Sequence, residues 1–376
     1  MSDSLKKLSA IAIATSLLVS TASALTTAEA VRAIRNVGAE GRGNSNASAA
    51  LQDLAKADAR ELPTILAGMD GASPLALNWL RSGVESIVAR EAAAGRQLPV
   101  AELEKFIGQT SHHPRARRFA YELIVKADPA KADAMIAGML NDPSTELRRD
   151  AVQRVLDEAA KSREAKNNSA AVASYQQALK SARDVDQVQA ISKALGELGQ
   201  PVSLPEVFGW VNDWRVIGPF DNTGGTGYET VFPPEQNLDF AAEYSGKSGK
   251  VGWKSLTTTN ELGMVDLNKP LGTLKEVTGY AVTELQSDTA RTVELRLGCK
   301  NGWKLWLNGE LLFGRDEYHR GTEIDHYRLK ANLKPGKNVI LLKVTQNEMK
   351  EEWTVEWEFQ LRITDDLGTP IKFAKN

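Results

Sequence analysis

The chain has 376 residues, 42% hydrophobic and 25% charged, with a formal net charge of -2 and one cysteine. That length supports two domains of roughly 100 to 200 residues each, and a lone thiol excludes an internal disulfide framework, leaving packing as the source of stability. The mild acidity argues against a nucleic-acid or membrane-surface partner, either of which favours a basic balance.

Residues 1–24 carry Lys6 and Lys7, an apolar run from Leu8 to Val19 and the small-residue ending Ala22-Ser23-Ala24. This is the layout of a secretory signal peptide cleaved after Ala24, and its apolar run is too short to span a membrane. Cleavage removes two lysines and Asp3, taking the formal charge from -2 to -3. No lipid-attachment cysteine follows, and no second long apolar run exists. The expected product is exported and soluble, in the periplasm, at the cell surface or outside.

Residues 25–199 read as short helices punctuated by Pro, Gly and Asp. Ser73-Pro74 opens one, serine as cap and proline in the first turn, where its missing N–H would have no partner anyway. Leu77, Leu80, Val84 and Ile87 then form one apolar stripe. His113-Pro114 and Asp142-Pro143 repeat the opening, followed by Phe119, Ala120, Leu123 and Ile124, and by Leu147, Ala151, Val155 and Leu156. The stretch from Asp142 to Val152 is similar to the second-helix opening of HEAT-like repeats. That resemblance implies a curved stack of about four helix pairs, since one pair cannot bury its own apolar face. Two further helices fit Ala170 to Ala182 and Val185 to Leu198, with Gly199 ending the last. Arg115, Arg117, Arg118, Arg148 and Arg149 are the one basic cluster, expected as a solvated helix face. Residues 200–209, with two prolines, read as a linker.

From residue 210 to 376 the text changes. Seven of the eight tryptophans lie after residue 205, and β formers replace alanine. Strand candidates are Trp210 to Phe220, Val251 to Leu256, Gly263 to Leu267 and Val277 to Leu285. Val293, Leu295, Leu297 and Cys299 share one face of an extended chain, and Trp303, Leu305 and Leu307 resume it after Asn301-Gly302, so a β-hairpin is predicted there. Asn308-Gly309 turns again. Trp353, Val355, Trp357, Phe359, Leu361 and Ile363 alternate with polar residues, predicting a strand from Trp353 to Ile363 with one buried and one wet face. Cys299, in the apolar register, is expected to be buried and inert. Eight or more strands with turn signals and no helix pattern predict a sandwich of two antiparallel sheets.

Leu305-Trp306-Leu307-Asn308-Gly309-Glu310, then Leu333-Lys334-Pro335-Gly336-Lys337-Asn338 and the run Val339 to Val344, resemble galactose-binding-like jelly rolls, especially the sugar-binding domain of glycoside hydrolase family 2. The match spans residues 290–363 and rests on turn and core positions, so it implies an all-β jelly-roll fold more directly than an activity. Such folds bind sugars through aromatic faces flanked by carboxylates, amides and arginines. Trp306 is the first candidate, because the register that buries Leu305 and Leu307 turns it outward; packing under a loop or against the helical half is the competing reading. Arg315, Asp316, Tyr318, His319 and Arg320, with Asp325 and His326 behind them, form the densest polar-aromatic cluster, in a loop of the kind that carries binding residues.

His319 and His326 with Asp316 and Asp325 match no tight zinc spacing. No cofactor is called for; a structural calcium would take several convergent oxygens, which a sequence does not display. His112 and His113 point apart on a helix. No catalytic constellation is visible: Glu356 and Glu358 share a strand face as charges on a wet face do, Gly246-Lys247-Ser248 lacks the remainder of a phosphate-binding loop, and no nucleophile elbow occurs. The expectation is an exported, non-catalytic binding protein whose partner is an envelope or extracellular glycan. The alternatives are a protein-interaction scaffold using the helical repeats and an accessory component of a polysaccharide-degrading system.

Overall fold

A computed structural model describes residues 24–373; the leader features at Lys6, Lys7 and Leu8 to Val19 lie outside the described residues. The chain forms two compact units, Met1–Ala134 and Met135–Asn376.

In the first unit the described helices are Thr27–Arg35, Asn44–Leu54, Leu62–Ala67, Pro74–Ala93, Val100–Gly108 and Pro114–Ala127, with Pro129–Ile136 running across the boundary. The first begins with a capping box: the Thr26 hydroxyl accepts from the Glu29 N–H at 3.4 Å, and Glu29 accepts from the Thr26 N–H at 2.9 Å. Ser73 caps Pro74–Ala93 by accepting from the Ala76 N–H at 3.2 Å, and the Leu77, Leu80, Val84, Ile87 stripe is buried. Gly83 lets that helix approach its neighbour closely, since a Cβ there would sit 2.5 Å from Leu54 Cδ2. His112 stacks on Phe106 and bonds Asp70 at 2.7 Å, while the His113 ring accepts from the Arg115 N–H. The arginines expected on a solvated face divide: Arg118 pairs with Glu122, whereas Arg117 is buried and donates to the Ile107 carbonyl at 2.8 Å.

The second unit opens with helices Thr145–Glu164, Asn168–Ser181, Val185–Glu197 and Leu204–Phe208. The first starts two residues later than Asp142-Pro143 suggests. Ser144 is its cap, accepting from the Leu147 N–H at 3.3 Å, and Asp142 instead accepts from the Ser144 N–H at 2.7 Å. Arg148, like Arg117, turns inward, donating to the Asp142 carbonyl at 3.0 Å. The segment expected as a linker contains a short helix, and its Phe208, with the adjoining Trp210, is buried with Val188, Ile191 and Leu195 in one apolar cluster.

Twelve strands follow in the described residues: β1 Asp213–Asp221, β2 Glu243–Gly246, β3 Gly249–Gly252, β4 Lys254–Thr257, β5 Val265–Asp266, β6 Val277–Ser287, β7 Arg291–Cys299, β8 Gly302–Leu307, β9 Glu310–Arg315, β10 Tyr327–Leu333, β11 Gly336–Gln346 and β12 Glu358–Thr364. Every pairing is antiparallel. One sheet has the order β4-β1-β6-β11-β8-β9 and the second β10-β7-β12-β5, with β2 and β3 as a separate ribbon. The sheets enclose a core of Trp214, Leu295, Leu297, Trp303, Leu305, Leu342, Trp357, Phe359 and Leu361, among others, and neither closes into a barrel.

Two expectations change here. The apolar sets on β7 and β8 do share the core, but the strands belong to different sheets, so Asn301 is no hairpin turn. It lies buried in a crossing between layers, donating to the Glu356 carbonyl at 3.1 Å and the Gln346 amide oxygen at 3.3 Å. Asn308-Gly309 does turn tightly, with φ of 54° and 87°, between β8 and β9. The last strand begins at Glu358, not Trp353. Gln346 and Lys275 donate to the Thr354 carbonyl at 2.9 and 2.7 Å and the Thr354 hydroxyl donates to Met349 and Glu351 carbonyls, so side-chain bonds hold residues 352–354 in a turn instead of a ladder.

Nor is the polar face of β12 wet. Arg362 and Arg296 donate to a buried Asp325, and the Arg362 guanidinium lies over the Phe208 and Trp210 rings. Across the other sheet's outer face, residues 228–253 fold as a cover over Ile217, Phe220, Tyr280 and Trp306. Lys343, 0% exposed, anchors the cover by donating to the Tyr228 and Thr230 carbonyls and to Glu235 at 2.7 to 2.9 Å. Burial depresses its ammonium pKa, and Glu235 pulls the other way.

Candidate functional site

The strand order brings one set of loops to a common end of the sandwich. β1, β7, β9 and β11 finish there and β6, β8 and β12 begin there, so the connections near residues 222–230, 268–276, 300–301, 316–326 and 347–357 are neighbours. Main-chain bonds join them: Asn222 N–H to the Glu276 carbonyl at 2.9 Å, Glu276 N–H to Asn347 at 3.0 Å and His319 N–H to Lys300 at 2.6 Å. Asn222, fully buried, donates to the Gln346 carbonyl at 3.0 Å and to the Tyr318 hydroxyl at 3.3 Å. Lys247, on the turn between β2 and β3, donates to the Glu276 carbonyl and pairs with Asp221, so the sequence that imitates a phosphate loop is a strut for the glycine-rich segment 222–228.

On this end Trp353 stands out, 58% exposed, while every tryptophan of the core or cover is shielded. Its ring meets His319 edge to face at 5.3 Å. His319 has φ of 57° and bonds Asn347 Oδ1 through Nε2 at 2.8 Å, while its Nδ1 is enclosed without a protein partner. A buried N–H without an acceptor costs more than a bare lone pair, so the proton belongs on Nε2. Asn347 Oδ1 also accepts from the Met349 N–H at 3.2 Å, which fixes the amide and leaves its NH2 without an acceptor among the described residues. Tyr318 packs beside His319, its hydroxyl bonded to Thr345 at 2.8 Å, and burial raises its pKa. Glu317 bridges Arg320 at 3.1 Å and Arg315 at 3.8 Å on the outer lip.

The structure brings Arg315, Tyr318, His319 and Arg320 to this rim with Trp353 and Asn347. Asp316 lies on its Tyr228 side, where burial raises its carboxyl pKa and pushes the Tyr228 phenol up to about 12. Three expected residues lie elsewhere. Trp306 does face outward from its strand, but Tyr280, Leu341 and the cover leave it 8% exposed, with no ring face free for a ligand. The Asp325 carboxylate is consumed by Arg296 and Arg362, and His326 stacks on Tyr327 at 4.5 Å. Sequence reasoning misses Trp353 and Asn347. The signal for Trp353 is the run Glu348 to Glu352, whose charges mark a loop immediately before it.

Of the carboxylates weighed for catalysis, Glu356 is ion-paired with Lys300, and burial raises the pKa of Glu358, set across from Asp266 on β5. Among the described residues no three His, Cys, Asp or Glu side chains are grouped to hold a metal ion, and no helix is long and apolar enough to cross a membrane. No protein-family model matches the chain, and no curated protein matches it.

Proposed function

We propose that this is an exported, non-catalytic carbohydrate-binding protein: a HEAT-like helical region followed by a galactose-binding-like jelly roll whose rim takes the glycan. Residues 1–24 act as the leader that sends it to the periplasm, the cell surface or the medium. One observation carries the reading. Trp353 presents its ring to solvent on a rim braced by hydrogen bonds, with His319 at its edge and the Asn347 amide donor unspent beside it. An exposed aromatic plane buries the C–H face of a sugar, while flanking donors take its hydroxyls. Arg315, Asp316, Tyr318 and Arg320 supply the surrounding polar lip.

A glycan array followed by retention on an immobilised polysaccharide tests this. Trp353→Ala lowers retention at least tenfold and leaves the melting temperature within a degree or two, since an exposed ring contributes little to folding. Trp306→Ala behaves oppositely, losing about 3 to 5 kcal/mol of stability by leaving a void under the cover. Retention unchanged by Trp353→Ala would sink the proposal.

A further inference from the structure

A second concavity in the second unit has chemistry the rim lacks. A cleft of about 480 Å³ opens between the end of helix Asn168–Ser181 and the turn after β12, with walls from Leu179, Val207, Phe208 and Pro370. Its charge is one-sided. Lys180, Arg183 and Lys372 line it against the single carboxylate of Glu206, and the Arg362 charge is already met by Asp325.

Arg183 is the centre of that imbalance. It is partly buried; its Nη1 donates to the Ala182 and Lys180 carbonyls at 2.7 and 3.0 Å, and its Nε to the Thr369 hydroxyl at 3.2 Å. These bonds aim the guanidinium, yet all are to neutral acceptors. No carboxylate among the described residues forms an ion pair with Arg183, Lys180 or Lys372, and Nη2 has no acceptor. Burial depresses the Arg183 pKa, the nearby Arg148 and Arg362 charges add to the effect, and Asp365, which forms no ion pair with it, opposes it. Partly burying a cation with no carboxylate in ion-pair reach is costly, and a bound anion would offset that cost.

We propose that this cleft binds an organic carboxylate with an apolar body, its carboxylate on Arg183 between Lys180 and Lys372 and its hydrocarbon against Leu179, Val207 and Pro370. The apolar walls favour an acyl or aryl acid over a sugar acid, and the volume lies in the range of small-ligand pockets. This site is independent of the rim.

Calorimetric titration of the full chain with octanoate, octanol, glucuronate and inorganic sulfate tests it at low salt. Octanoate is expected to bind saturably at one site. Arg183→Gln weakens it about tenfold or more, the loss of one charge-assisted contact, without lowering the melting temperature, because the variant no longer buries an unpaired cation. If that variant misfolds, Lys180→Gln with Lys372→Gln, both exposed, still weakens octanoate several-fold on an intact fold. Trp353→Ala leaves octanoate binding unchanged, so failure of the rim reading and failure of this one are distinguishable. Octanol binding as tightly as octanoate, sulfate competing at equal concentration, or glucuronate binding more tightly would each overturn the proposal.

Discussion

Trp353 and Trp306 show how far one residue's environment decides its role. Both are tryptophans in alternating stretches, and alternation gives the face a side chain takes, not what later folds over that face. Trp306 points outward and is covered by chain 50 to 80 residues away in sequence, whereas Trp353 drops out of its strand because Thr354 finds local partners. Tyr318 and His319 were legible as a polar-aromatic loop; Asn347 was not, because its place beside His319 depends on two loops distant in sequence meeting at one end of the sandwich. Asp325, proposed from the same loop, acts instead as a buried counter-ion. Burial alone would raise its pKa, but the Arg362 and Arg296 guanidiniums outweigh this and hold it below its ordinary 3.8. The stabilisation is therefore complete above pH 3.8 and is lost as pH falls through the lower folded value. Asp325→Asn therefore lowers the melting temperature at pH 7, and the gap from the parent protein narrows in melts at pH 2 to 3.

Among elements, the turn from Leu333 to Asn338 is the one whose sequence explains itself most fully. Asn338 is fully buried; its Oδ1 accepts from the Lys334 N–H at 3.0 Å and its Nδ2 donates to the Lys334 and Gly336 carbonyls at 2.8 and 3.0 Å. Asn308, at the neighbouring turn, donates to the same Oδ1 and accepts from the Val339 N–H at 2.9 Å. One amide thus fixes the start of β11, the central strand between β6 and β8, and the β8–β9 turn. Asn338→Leu, of similar volume, strands several of these groups and is expected to lower stability by about 2 to 4 kcal/mol in urea unfolding. The β7–β8 connection shows the opposite case. Its inward faces were readable from period-two alternation, but Asn-Gly reads as a hairpin locally, and only the competition of β10, β11 and β12 for partners sends the two strands to separate sheets.

At the scale of the molecule, composition separates helix from sheet near residue 205, while compactness separates the chain at residue 134. The difference has a physical origin: Phe208, Trp210, Leu262 and Ile324 join the apolar cluster of the helices after residue 145, so those helices are part of the sandwich's packing. A fragment of residues 135–376 is accordingly expected to melt in one cooperative transition, whereas a fragment of residues 210–376, stripped of that cluster, exposes Trp210 and aggregates or melts at least 10 degrees lower by circular dichroism. The same enclosure governs Cys299, which is 2% exposed, with burial pushing its thiol up to about 12. A sulfhydryl that is both shut in and protonated reacts with neither alkylating agents nor dyes until the layers part. The chain thus carries its own gauge: the rate at which iodoacetamide modifies this atom in native buffer reports the population of opened sandwich while reclosing outpaces alkylation, and levels off at the opening rate once the reagent is concentrated enough to outpace reclosing.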